Sequence, residues 1–132
     1  MGKTKSLTYL ISVFFVAVFC CCNSKSKYAV TPQEFFRLVE TENYLVVDVR
    51  AGEAYLSGHI EGAATIDFYS PAFEHKFRFL NASKPMALYC KSGKVSVKAI
   101  RILESELGFT NMVYLKGGLD AWKAAPYTIV KP

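Results

Sequence analysis

The sequence has few cysteines, and all but one lie near its start. Of the four cysteines among 132 residues, Cys20, Cys21 and Cys22 are adjacent, and only Cys90 lies farther along the chain. If the first segment is removed, Cys90 has no partner for an intramolecular disulfide, and the chain has no Cys-x-x-Cys pair for dithiol redox chemistry. Adjacent cysteines without a nearby histidine are a poor tetrahedral metal site, so we expect no metal and no other cofactor.

The basic residues form no arginine-rich run and no stripe interleaved with aromatic residues. The 16 Lys and Arg against 11 Asp and Glu become 14 against 11 when Lys3 and Lys5 are set aside with the N-terminal segment. This mild positive charge makes nucleic acid a poor candidate partner. The chain has no internal repeat, and its length suits one domain.

The N-terminal segment predicts export. Lys3 and Lys5 precede an uncharged run from Leu7 to Cys22. A positive start followed by a short apolar run and a cleavage region is the order of a secretory signal peptide. The run of 16 residues is shorter than the roughly 20 that a membrane-spanning helix needs, so an uncleaved anchor is the weaker alternative.

The cysteine triplet resembles the processing site of bacterial lipoproteins, where the peptide is cut before a cysteine that carries lipid. Phe19 is too bulky to precede the cut, so Cys22 or Cys21 is the expected acceptor rather than Cys20. The alternative is an ordinary secretory peptide with incidental cysteines. With lipid attached, the protein would be anchored to a membrane in the bacterial cell envelope or periplasm.

Three segments follow from this interpretation: a signal peptide at 1–22, a polar tether "NSKSK" at 23–27, and one domain at 28–132. Within the domain, apolar runs alternate with helical patterns. Strands are predicted at 44–49, 63–66, 85–90 and 111–115, and helices at 31–41, 70–80, 95–107 and 119–125. The alternation predicts an α/β fold, a parallel β-sheet with helices on both faces.

Capping residues mark several helix ends. Thr31 is the expected N-cap of the first helix, with Pro32 at its first position and Glu34 closing a capping box. Ser70 is the expected cap of the second helix. Gly108 follows Leu107 where a terminating glycine belongs.

Two predicted strands end in residues with reactive or charged side chains. Cys90 ends one strand, and Asp48, Val49 and Arg50 end another. In open parallel sheets, ligands bind beyond the carboxyl ends of the strands. We therefore expect the functional site at this edge.

The loop after Cys90 combines a nucleophile with an anion site. Residues Lys91 to Lys94 connect the strand to a helix, whose free N–H groups and dipole attract anions and favour a thiolate. The two lysines add positive charge, and Gly93 permits a tight turn. The alternative is that Cys90 is only a small apolar residue at the end of a core strand, and that the lysines are only solvated.

Two stretches resemble the rhodanese-like domain family. "VDVRAGEAYLSGHIEGAATI" has the Asp-x-Arg and Gly-His-Ile-x-Gly-Ala order of that family. "YCKSGKVSVKAIRILESELGFTNMVYLKGGLDAW" has its Cys-x-x-Gly, Leu-Gly-Phe, Gly-Gly and Ala-Trp elements. Together they extend over nearly the whole predicted domain, and their number and order make the resemblance specific.

The resemblance implies a single-domain sulfurtransferase that acts through a persulfide. Cys90 would take sulfur from a small anionic donor such as thiosulfate and pass it to a thiol or cyanide. The loop residues would hold the anion; they are Lys91, Ser92, Gly93, Lys94 and Val95.

The other motif residues are expected to be structural. Asp48 and Arg50 would form a strand-end ion pair, and His59 a structural hydrogen bond rather than a general base. Gly117 and Gly118 would let the backbone approach the Cys90 loop. Trp122 is expected in the core.

Two positions depart from the family pattern. Val95 stands where members often have arginine, which leaves efficient turnover of thiosulfate open, and Glu61 stands where proline is usual. A cysteine phosphatase is disfavoured because Tyr89 precedes the cysteine and Ser96 occupies the position of the arginine that binds phosphate. A rhodanese-like binding or sulfur-delivery module without general turnover is the alternative function. The sequence does not predict the oligomeric state.

Overall fold

The computed structural model describes residues 27–132. The predicted signal peptide at 1–22, with Cys21 and Cys22, lies outside the described residues, as does all of the tether except Lys27. Within 27–132, no helix has the length and apolar character to cross a membrane. The same range contains no group of three or more His, Cys, Asp or Glu residues that could hold a metal ion.

Five parallel strands form a single sheet in the order β1-β5-β4-β2-β3. The strands are β1 Ala29–Val30, β2 Leu45–Asp48, β3 Ala64–Thr65, β4 Met86–Tyr89 and β5 Met112–Leu115. The central strand β4 is buried at all four positions, as its continuous apolar run predicts. The predicted parallel α/β sheet is confirmed.

Helices cover both faces of the sheet. They are α1 Pro32–Thr41, α2 Gly52–Ser57, α3 Phe73–Arg78, α4 Lys94–Leu107 and α5 Gly118–Ala124. Successive residues of β4 point to opposite faces, so Leu88 packs in the core with Phe77 of α3 and Leu103 of α4. Ala87 packs in the other core cluster, which contains Phe35 of α1 and, as the sequence predicts, Trp122 of α5.

The first helix keeps one half of its predicted capping box. The Thr31 hydroxyl accepts a hydrogen bond from the Glu34 N–H at 3.2 Å, and Pro32 is the first helical residue. The Glu34 carboxylate binds Arg37 one turn along instead of the Thr31 N–H, so this part of the prediction is wrong. At the end of α4, Gly108 has a φ of +70° and terminates the helix as predicted.

The predicted cap of the 70–80 helix is wrong, because the N-cap is Ala72, two residues after Ser70. Ser70 accepts a hydrogen bond from the Ala72 N–H at 3.2 Å, but this bond lies in a turn that precedes α3. The helix itself begins at Phe73. Ser70 and Pro71 therefore shape the connection and leave Phe73 and Phe77 to anchor the helix in the core.

Two elements of the structure are absent from the sequence prediction. The strand β1 is only two residues long and joins the sheet at its edge through β5. The helix α2 has no buried residue, and therefore no apolar periodicity in its sequence.

Candidate active site

The ends of β2 and β4 meet at one edge of the sheet. Asp48 is in register with Tyr89, so Val49 and Cys90 follow side by side. The Val49 N–H donates to the Tyr89 carbonyl at 3.0 Å and extends the pairing past the strands. The predicted location of both strand ends at a common edge is confirmed.

Cys90 is a free thiol held inside a tight loop. It is 3% exposed, and its Sγ accepts a hydrogen bond from the Gly93 N–H at 3.1 Å. Gly93 has a φ of +93°, and a Cβ there would lie 3.3 Å from the Gly117 nitrogen. Both the conformation and the close approach favour glycine.

Helix α4 begins directly behind this loop, one residue earlier than predicted, at Lys94. The first N–H groups of a helix have no partner within the helix. Within residues 27–132, the N–H groups of Lys94, Val95 and Ser96 have no hydrogen-bond acceptor. These donors and the positive end of the helix dipole give the loop an affinity for anions.

Helix α5 holds the loop from the other side. The Leu119 N–H donates to the Cys90 carbonyl at 2.8 Å, and the Asp120 N–H donates to the Lys91 carbonyl at 3.1 Å. The loop carbonyls thus satisfy the first free donors of α5. Gly118 makes this approach possible, because a Cβ there would lie 2.6 Å from the Cys90 oxygen. The predicted approach of the Gly-Gly backbone is confirmed.

A cavity of about 500 Å³ opens beside Cys90. Its apolar lining comes from Val49, Ala51, Ala54, Val95 and Leu119. Its charged lining comes from Arg50, Lys91, Asp120 and Lys123. The volume is within the range of small-molecule sites, roughly 300–1,000 Å³.

Arg50 forms the ion pair with Asp48 that the sequence predicts. Its Nη2 lies 2.6 Å from Asp48 Oδ2, and its Nε binds both carboxylate oxygens. The Asp48 side chain is 0% exposed and that of Arg50 is 11% exposed. Burial lowers the pKa of Arg50, but the hydrogen bonds and charge of Asp48 outweigh this effect and raise the pKa above its ordinary value. Arg50 also donates to the Gly58 carbonyl at 2.7 Å and so ties the end of α2 to β2.

Tyr89, the residue before Cys90, is fully buried in the core and lies outside the cavity lining. Its hydroxyl accepts a hydrogen bond from the Ile60 N–H at 3.0 Å. Burial and the nearby charge of Asp48 raise the pKa of Tyr89, so the phenol stays neutral in the physiological range.

His59 lies outside the cavity lining. Its Nδ1 is 3.0 Å from the Tyr55 carbonyl oxygen, and its ring stacks on the Tyr55 ring with centroids 3.7 Å apart. A carbonyl only accepts, so Nδ1 is the donor in this hydrogen bond. The backbone of His59 also bridges to Val130. These contacts include the hydrogen bond that the sequence predicts for His59.

The loop that carries Cys90 between β4 and α4, an Asp-Arg pair at the end of β2 and a Gly-Gly turn behind the loop lie together at one edge of the sheet. The family model described as the rhodanese-like domain matches residues 31–125. The chain belongs to this family.

Similar proteins of the rhodanese-like family agree in sequence and in fold. Thiosulfate sulfurtransferase GlpE of Pseudomonas putida is 32% identical over 95 residues, which cover 72% of this chain and 84% of that protein. A rhodanese-related protein of Thermoplasma volcanium superposes with a TM-score of 0.69 at 26% identity, covering 80% of this chain and 99% of that one. A rhodanese-like domain from Anabaena sp. gives 0.71 at 25% identity and covers 80% of each chain.

The five predicted loop residues of this rhodanese-like domain differ in whether they line the cavity. Lys91, Ser92 and Val95 line the cavity. Gly93 does not line it but reaches the sulfur through its N–H. Lys94 is exposed and lies outside the lining.

Sequence reasoning missed several residues of the cavity lining, three of which have a charged or aromatic side chain. Asp120 and Lys123 lie on α5, and Tyr69 is a 72% exposed residue of the turn before α3. The Gly-Gly pair gave a usable signal for the first two, since it already places the start of α5 against the Cys90 loop. Tyr69 carries no such signal.

Proposed function

We propose that the protein is a sulfurtransferase that moves sulfane sulfur from an anionic donor such as thiosulfate to a thiol or cyanide through a persulfide on Cys90. The observation that supports this most strongly is the free Cys90 thiol, with its Sγ 3.1 Å from the Gly93 nitrogen, beside the unpaired N–H groups that open α4. The family and the name of the Pseudomonas putida relative point to the same reaction class.

The reaction divides into two displacements. The Cys90 thiolate attacks the outer sulfur of thiosulfate, the S–S bond of the donor breaks, and sulfite leaves with the electron pair. The N–H groups of Gly93 to Ser96 would stabilise the negative charge of the persulfide and of the departing sulfite. The acceptor then attacks the outer sulfur and returns Cys90 as thiolate. Ping-pong kinetics are expected.

One observation favours a second candidate function, a binding or sulfur-delivery module without general turnover. Val95 presents an apolar side chain to the cavity at the position where the loop would hold an arginine. Lys91, the loop lysine that does line the cavity, is already paired with Asp120 at 3.1 Å. The loop itself therefore offers thiosulfate little unpaired positive charge from side chains.

The intact mass of the purified protein tests the proposal. Incubation with thiosulfate is expected to add one sulfur atom, located by peptide mapping on Cys90, and cyanide is expected to remove it as thiocyanate. Cys90→Ser is expected to gain no sulfur, since serine forms no persulfide. Loading by an organic persulfide without turnover from thiosulfate would favour the delivery module. A native protein that gains sulfur from neither donor would contradict both candidates.

We also propose that the protein is exported and carries lipid on Cys22 or Cys21. The order of charged, apolar and cysteine residues in 1–22 supports this proposal. When the full chain is expressed in bacteria with a labelled fatty acid, the label is expected to be lost in either Cys22→Ser or Cys21→Ser and kept in Cys90→Ser. Unlabelled native protein would rule out the anchor.

A further inference from the structure

The positive charges at the cavity are not equally available to a ligand. Three cationic side chains line it: Arg50, Lys91 and Lys123. Arg50 is paired with the buried Asp48, and Lys91 is paired with Asp120. Within residues 27–132, no carboxylate lies within 4.0 Å of the Lys123 ammonium group. Lys123 is therefore the cavity cation with unmatched charge.

The size and lining of the cavity point to an organic ligand. The volume of about 500 Å³ is in the range of sites for small organic molecules and is more than a small inorganic anion fills. Part of the cavity wall is aliphatic, from Val49, Ala54 and Leu119. Such walls favour a carbon skeleton over a hydrated ion.

We propose that the acceptor is a small organic thiol that carries a carboxylate, and that Lys123 is the residue that selects it. The inference rests on the proposed sulfur transfer at Cys90. The thiol end of the acceptor would face Cys90, its carbon chain would contact the apolar walls, and its carboxylate would pair with Lys123. The ion pair forms outside the Cys90 loop, so it selects the acceptor without taking part in the bond changes.

The transfer step needs no oxidant, reductant or other reactant besides the acceptor and water. After the persulfide takes up a proton from water to form Cys90–S–SH, the acceptor thiolate attacks its outer sulfur, a new S–S bond forms, and the bond to Cys90 Sγ breaks. The electron pair of the broken bond stays on Cys90 as thiolate. The proton remains on the transferred sulfur, and the product is the organic persulfide of the acceptor.

A pair of acceptors that differ in charge tests the proposal on the full-length protein. Cys90 is first loaded with sulfur, and its discharge rate is measured with 3-mercaptopropionate, which is anionic, and with 2-mercaptoethanol, which is neutral. In Lys123→Gln, the rate with the anionic thiol is expected to fall about fivefold, the scale of one exposed ion pair, while the neutral rate stays unchanged. Lys123→Glu is expected to lower the anionic rate further.

Lys98→Gln is the matched control, because Lys98 is an exposed lysine of α4 outside the cavity lining. It should leave the ratio of the two rates at the native value. If Lys123→Gln also leaves this ratio unchanged in a protein that loads and discharges sulfur, the inference is overturned while the proposed function stands. If native protein cannot be loaded at all, the proposed function fails and the inference fails with it.

Discussion

Gly118→Ala is expected to lower the free energy of unfolding by about 4 kcal/mol, of which about 3 come from overpacking and about 1 from the backbone conformation. An alanine Cβ would lie 2.5 Å from the Lys91 carbonyl carbon and 2.6 Å from the Cys90 carbonyl oxygen. Both atoms belong to the backbone, so no side chain can rotate to relieve the contact. The loop must move away from α5, and the hydrogen bonds that Cys90 and Lys91 accept from α5 are strained or lost.

Gly62→Ala is the matched control for this substitution. Gly62 has a φ of +77°, close to the +62° of Gly118, but nothing lies within 4 Å of its Cβ position. It should cost only about 1 kcal/mol, the cost of the left-handed conformation. Urea unfolding of the two variants measures the difference, and a loading assay shows whether Cys90 still accepts sulfur. Equal losses of stability would show that the contact with the loop is unimportant.

Asp48→Asn is expected to lower the free energy of unfolding by about 3 kcal/mol, because it leaves the Arg50 charge without its buried partner. Asp48 is 0% exposed and binds both Nε and Nη2 of Arg50 as well as the Arg50 N–H. Asparagine keeps the shape of the side chain but has no charge, and its NH₂ group would face the N–H donors of Arg50. The effect is expected to reach α2 as well, because Arg50 also holds the Gly58 carbonyl.

An exposed ion pair provides the comparison. Glu34 and Arg37 lie 2.7 Å apart, but their side chains are 43% and 50% exposed. Water screens this pair, so Glu34→Gln should lower the free energy of unfolding much less than Asp48→Asn. Thermal or urea unfolding measures both variants. Similar losses in the two would mean that burial of the Asp48–Arg50 pair does not set its importance.

The main elements of the core could be predicted from patterns in the sequence. The apolar runs of β2 and β4 and the four-residue spacing in α4 each predict an element that the structure contains. The capping-box prediction was wrong for Glu34 because its carboxylate binds a competing partner, Arg37, on the next turn. Helix α2 was missed because none of its residues is fully buried and only Tyr55 packs against the core, so its sequence has no apolar periodicity.

Some residues of the candidate site could likewise be predicted from the sequence, and others could not. The Cys90 loop and the Asp48–Arg50 pair are each local in sequence, and they were predicted from a few neighbouring letters. Asp120 and Lys123 reach the cavity only because α5 docks its N-terminus on the Cys90 and Lys91 carbonyls. That contact joins residues about 30 positions apart, and side-chain pairing across it depends on tertiary geometry that local patterns do not encode.

The short helix α5 has two kinds of position, which differ in how freely their residues can be substituted. Leu119 and Trp122 are buried in the core, and substitutions there would disturb packing shared with α1. Asp120 and Lys123 alternate with them but are exposed at the cavity rim. Exposed positions of this kind change stability little, within about 0.5 kcal/mol. The charge around Cys90 can thus diverge between relatives while the thiol, its loop and the fold stay the same.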